Sequence, residues 1–150
     1  MSPPISKPTG LTPEYAAQYQ DLSIVQAYRH REPYPEETFK ILAEVARAKT
    51  PRVADLGCGT GDLTLGLSRF AGHVDAVDFS PAMLKEARHR ADEIENIEWI
   101  EASVEAAALA GEYDLIVAGD SFHWLDWQVA FDRIKGWLKP NACFAVIERE

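Results

Sequence analysis

The sequence is poor in cysteine, with only Cys58 and Cys143 in 150 residues, which rules out a disulfide framework and gives no zinc-binding spacing. Each reads as a small packing residue, and a reducing cytoplasm is the expected setting. Basic residues are also short: 15 lysines and arginines stand against 24 acids, for a formal charge of −9. With no basic surplus to displace counterions from phosphates, a nucleic-acid partner is not expected. No apolar run approaches a membrane span and the first residues hold no hydrophobic signal core, so no membrane partner is expected either. The rest is the composition of a soluble globular chain, 47% apolar and 26% charged, at the length of one domain with a sizeable core.

The stretch Val53-Ala54-Asp55-Leu56-Gly57-Cys58-Gly59-Thr60-Gly61-Asp62-Leu63 organises what is there. A short apolar run passes through three glycines at alternate positions into Leu63, Leu67 and Phe70, an apolar stripe at helical spacing. This predicts strand, glycine turn and helix, with a backbone free to take positive φ and N–H groups open to a ligand. The spacing is Gly-x-Gly-x-Gly, and Asp62 stands where a dinucleotide-binding turn has its last glycine. Asp55 adds a carboxylate at the strand end, which repels a pyrophosphate and suits an ammonium or sulfonium group. Residues 73–80 read as a second strand ending in Asp78, an acid placed to accept two hydrogen bonds from the vicinal hydroxyls of a ribose.

With the glycine loop and these two acids in place, the chain from about Tyr28 onward resembles the Rossmann-like (class I) S-adenosylmethionine-dependent methyltransferases of the small-molecule type. The resemblance implies an α/β fold, a three-layer doubly wound sheet with strand order 3-2-1-4-5. It implies S-adenosylmethionine as cofactor and in-line methyl transfer to a small-molecule acceptor. It also implies a site. Asp55 and the loop Gly57, Cys58, Gly59 and Gly61 would hold the methionine moiety, and Asp78 the ribose. Phe79 and Met83 would flank the adenine, with Ser103 and the Val104 backbone N–H at its edge. In the family an aspartate often stands where this chain has Ser103, whose hydroxyl can still accept.

In chain order, residues 1–11 read as a mobile tail, residues 12–50 as a helical lid and residues 51–150 as the cofactor-binding core. Thr12-Pro13 starts one helix, with Tyr15, Tyr19, Leu22 and Gln26 at helical spacing; Pro35-Glu36-Glu37 starts another that buries Phe39, Leu42, Val45 and Ala46. Between them, Tyr28 and Arg29 are candidates for the methionine end of the cofactor by the resemblance, or Tyr28 simply anchors one helix on another. Ser80-Pro81 caps and opens a helix in which Met83 is either core or adenine contact. Strands are expected at 97–102, 113–119 and 142–148, with a helix over 127–138 closed by a turn at 136–141 containing Pro140.

His123, in a His-Trp pair after the fourth strand, is the candidate catalytic residue by the resemblance, able to orient a substrate oxygen or take its proton; packing at the strand end is the other reading. The Asn-Pro-Pro-aromatic signature of the amino-methylating DNA and protein enzymes is absent. The hairpin that completes the family's sheet is missing too. A truncated domain and a homodimer through the open edge of strand five are therefore expected. Two functions compete with an active enzyme: an S-adenosylmethionine-binding module without its own activity, and a nicotinamide or flavin oxidoreductase, which Asp62 and Asp55 disfavour.

Overall fold

The structure is a computed structural model that describes residues 22–150. The tail and the helix start at Thr12-Pro13, with Tyr15 and Tyr19, lie outside the described residues. The described elements begin with α1 (Leu22–Tyr28), α2 (Glu36–Ala46), β1 (Arg52–Leu56), α3 (Asp62–Leu67) and β2 (His73–Asp78). They continue with α4 (Pro81–Arg90), β3 (Ile97–Glu101), β4 (Tyr113–Gly119), a 3-10 turn (Phe122–Trp124), α5 (Trp127–Trp137) and β5 (Leu138–Ile147). The five strands form one sheet in the order β3-β2-β1-β4-β5, with every neighbouring pair parallel.

Both faces of the sheet are covered, and β1, β2 and β4 are buried along nearly their whole length. Alternation sorts their side chains into two layers. Val53, Val74, Leu115 and Val117 meet Phe39, Leu42 and Ala46 of α2 and Leu63 and Leu67 of α3. Ala54, Leu56, Val77 and Ile116 meet Ala130, Ile134 and Trp137 of α5 together with Val104 and Ala107. Leu84 of α4 packs with Ala76 and Cys58. Each fully buried leucine or valine contributes about 1.5–3 kcal/mol relative to exposure.

The helix starts follow the sequence signals. Ser80 caps α4 by accepting from the Met83 N–H, Pro81 follows it, and Glu36 and Glu37 occupy the first turn of α2. The end of the chain departs from the expected turn and short strand. α5 runs directly into β5, and Leu138 already pairs with Tyr113. The next pair is Leu115 with Cys143, so the stretch that takes two steps along β4 takes five along β5. Pro140, which has no N–H to donate, and Asn141, at φ 64°, fall inside this irregularity. The residues expected to form a turn after the helix instead form an irregularity inside the strand.

Candidate functional site

A parallel sheet delivers the C-terminal ends of all its strands to one edge, and the loops that leave them enclose a cavity of about 430 Å³. Its wall follows the strand order. Ala102, Ser103 and Val104 stand beyond β3, Asp78 and Phe79 at β2, and Asp55 with the glycine loop at β1. Gly119, Asp120 and Ser121 leave β4, and Arg149 lies just past β5. Tyr28 at the end of α1, with Arg31 and Tyr34 from the segment that leads to α2, closes over it.

The glycine loop is shaped by left-handed backbone at Gly57, Gly59 and Gly61, with φ of 72°, 55° and 88°. The N–H groups of Gly57 and Cys58 both donate to the Val77 carbonyl, at 2.8 and 2.9 Å, which locks the loop to β2. At Gly57 a Cβ would lie 2.6 Å from Ser121 Cβ, so β4's exit packs directly on the loop. At Gly59 the nearest atom to such a Cβ is a Tyr28 ring carbon at 3.9 Å, and the loop there faces open cavity.

Asp78 is nearly buried and held from two sides: the Gly59 N–H donates to Oδ2 at 2.8 Å and the Ser80 N–H to Oδ1 at 2.9 Å. Burial raises its carboxyl above the usual range, against the pull of these bonds. Asp55 is 1% exposed and accepts from Thr64 Oγ1 at 2.6 Å. Burial pushes it up to about 7, with the nearby charges of Asp78 and Asp62 acting in the same direction and the Thr64 bond opposing. The Cys58 thiol is pushed well up by burial and by Asp55 and Asp78.

The expected site residues are mostly brought together. Asp55, Gly57, Cys58, Gly59, Asp78, Phe79, Met83, Ser103, Val104 and Tyr28 all line the cavity. Met83 does so from a 1% exposed position in the core. Gly61 stands behind the wall as the N-cap of α3. Arg29 is a correction. Its guanidinium makes two 2.9 Å bonds to Glu86 on the exposed side of α4 and stands outside the cavity lining. Two positions further on, Arg31 faces the cavity instead. His123 also stands outside the lining; its ring packs on Trp124 with centroids 5.0 Å apart, and Trp124 is the residue that reaches the cavity.

Sequence reasoning missed a cluster at the β4–β5 end. Tyr34 donates to Asp120 Oδ2 at 2.6 Å, and Arg149 Nε donates to the same oxygen at 2.7 Å. The Arg149 guanidinium also lies 4.1 Å over the Tyr34 ring. Although burial opposes it, bonding from Tyr34 and Arg149 holds the Asp120 carboxyl below its usual range. The signal available was positional: a charged residue just past each strand's C-terminal end is placed to face this edge.

The donor and acceptor set fits a cationic nucleoside. Asp78 and Asp55 share one cavity, and at Gly59 the loop between them leaves open space toward it. The profile of a family described as "Methyltransferase domain" matches residues 53–141. Malonyl-[acyl-carrier protein] O-methyltransferase of Halalkalibacterium halodurans is 36% identical over 103 residues, covering 64% of this chain and 38% of that protein. Trans-aconitate 2-methyltransferase of Escherichia coli is 34% identical over 110 residues, covering 71% of this chain and 42% of that protein. The chain thus spans about two fifths of the length of these relatives. A solved structure described as a methyltransferase from Anaeromyxobacter dehalogenans superposes with a TM-score of 0.70 at 30% identity, over 79% of this chain and 48% of that one. Sequence match, strand order and loop geometry agree, and the chain belongs to the methyltransferase-domain family of Rossmann-like, S-adenosylmethionine-dependent methyltransferases.

Proposed function

We propose that this chain is the cofactor-binding part of an S-adenosylmethionine-dependent methyltransferase that acts on a small acid. The observation that carries the cofactor reading is the convergence of Asp55, the open face of the glycine loop and Asp78 on one cavity. The acid is favoured by the names of the two relatives, one acting on a malonyl group at oxygen and the other on trans-aconitate.

When bound, S-adenosylmethionine supplies a methyl group on a positively charged sulfur, open to in-line displacement by a lone pair of the acceptor. The chain's own residues bind and orient. Asp78 accepts the Gly59 N–H on Oδ2 and the Ser80 N–H on Oδ1, which orients its carboxylate toward the two ribose hydroxyls. Asp55, with Thr64 fixing one oxygen, offers a carboxyl that becomes an anion when a cation approaches. Ser103 and the Val104 backbone N–H stand at the β3 end for the adenine edge, and Phe79 covers it from the exposed side. Tyr28 and Tyr34 close the cavity against water. This chemistry calls for positioning more than for a strong acid or base.

Calorimetric titration with S-adenosylhomocysteine tests the reading. The chain is expected to bind it, and an Asp78→Ala variant to bind at least tenfold more weakly. Binding that the variant leaves unchanged would remove Asp78 from the site, and preference for a nicotinamide cofactor would overturn the reading. Binding without turnover across a panel of small acids would favour a cofactor-binding module instead.

A further inference from the structure

The cavity wall is acidic along most of its length, with Asp55, Asp78 and Glu105, and changes character at the β4–β5 end. There two guanidinium groups, Arg31 and Arg149, stand beside two carboxylates, Asp62 and Asp120. Arg90 Nη1 is taken by Asp62 at 2.7 Å, and Arg149 Nε by Asp120 at 2.7 Å. Arg149 Nη1 reaches the Glu32 carbonyl at 2.7 Å and Asp62 at 3.4 Å. Among the described residues Arg149 Nη2 donates no hydrogen bond. Arg31 lies 3.8 Å from Asp120, stacks on Tyr28 and makes no side-chain hydrogen bond among the described residues. The carboxylates of Glu32, Glu148 and Glu150 form no ion pair among the described residues.

We propose that Arg149 and Arg31 form a carboxylate subsite that selects an anionic acceptor. The inference rests on the methyltransferase reading and deepens it by assigning the residues that recognise the substrate. Guanidinium groups with unspent N–H donors are suited to a planar carboxylate, which they can grip with two parallel bonds. The location separates this subsite from the nucleoside. With strands about 4.8 Å apart, β5 lies roughly 10 Å from β1 and roughly 15 Å from β2, where Asp78 stands. The nucleoside takes the β3–β2 side, so the cations face the side left for the methionine end of the cofactor and for a second molecule. Asp120 is integral to the subsite: it holds the Arg149 side chain and, through Tyr34, fixes the segment that carries Arg31.

A carboxylate at this point has two sources, the acceptor or the methionine end of the cofactor, and the test separates them. The 150-residue chain is first titrated with S-adenosylhomocysteine. While saturated with it, the chain is then titrated with trans-aconitate, succinate and the trimethyl ester of trans-aconitate. The acids are expected to bind and the ester not. Arg149→Gln should weaken the acids at least tenfold while changing S-adenosylhomocysteine affinity less than twofold, and Arg149→Lys should recover part of the loss. Arg31→Gln, which leaves the Asp120–Arg149 pair intact, is expected to weaken the acids several-fold and decides the matter should Arg149→Gln fail to fold. A tenfold loss of S-adenosylhomocysteine binding with no change for the acids would assign the cations to the cofactor and overturn the proposal. So would acids that bind neither chain, or bind both substituted chains as well as the parent. No S-adenosylhomocysteine binding by the parent chain would instead sink the methyltransferase reading itself.

Discussion

Thr64 Oγ1 donates to Asp55 Oδ2 at 2.6 Å, tying the first helix turn after the glycine loop to the strand that precedes it. This bond stabilises the anionic form of a carboxyl that burial and two neighbouring acids drive the other way, to about 7. Asp55 is therefore poised to lose a proton when a positive charge enters the cavity.

Cofactor affinity should accordingly depend on pH. A cationic ligand binds the ionised carboxylate, so affinity for S-adenosylmethionine is expected to rise between about pH 6 and 8, with proton release. Folding has the opposite sign for the free protein. A carboxyl raised from 3.8 to about 7 contributes stability that is full below 3.8 and lost as pH rises through 7. Calorimetry at pH 7 in two buffers of different ionisation enthalpy would count the protons released. Asp55→Asn should abolish the release, and an unchanged count would refute the assignment to Asp55.

Gly57→Ala should be strongly destabilising. The residue holds φ at 72°, which costs a side chain about 1–2 kcal/mol, and the new Cβ would sit 2.6 Å from Ser121 Cβ, at a further cost of about 1–3 kcal/mol. A fall of roughly 2–5 kcal/mol in denaturant unfolding is expected. Ser121→Ala should not rescue it, since that change removes the 2.7 Å contact with Oγ but keeps the 2.6 Å contact with the Cβ.

Arg29→Ala should leave S-adenosylhomocysteine affinity unchanged within twofold, because its guanidinium is committed to Glu86 away from the cavity. A tenfold loss measured by calorimetry would return Arg29 to the site.

Tyr113→Phe should cost stability without touching the ligand. At the opposite end of the sheet Tyr113 donates to buried Asp75 at 2.5 Å, and Arg52 and His73 pair with the same carboxylate. Removing the hydroxyl is expected to lower unfolding free energy by about 1–3 kcal/mol. Cofactor titration should match the parent.

The parts of the site that the sequence made legible are those built from one contiguous stretch. Asp55, the glycine loop and α3 are a strand, turn and helix in a row, and Asp78 follows at the next strand end. Their geometry is local, so spacing and residue type were sufficient. Arg149 meets Asp120 across 29 residues and Glu32 across 117, and Tyr34 meets Asp120 across 86. No local pattern encodes such meetings; they follow only once the sheet order is fixed. Arg29 shows the finer difficulty, since two residues near a helix end separate an outward cation from one that faces the cavity. At the chain's end, Pro140 and Asn141 signalled a turn, and only the register revealed that pairing with β4 begins before it and resumes after it.

That irregularity in β5 is also a phase setting. An unbroken strand beginning at the Leu138–Tyr113 pair would place residue 140 opposite Leu115, yet Cys143 stands there. The displacement is odd, and strand side chains alternate, so every residue beyond it points to the face opposite the one that unbroken pairing would assign. Phe144 thereby joins the α5 layer, and Cys143, Ala145 and Ile147 join the α2–α3 layer. Arg149, two positions beyond the strand, inherits the same parity. Removing one residue from 139–142 would exchange the two layers and turn the guanidinium away from Asp120, whereas removing two would preserve the sense of both.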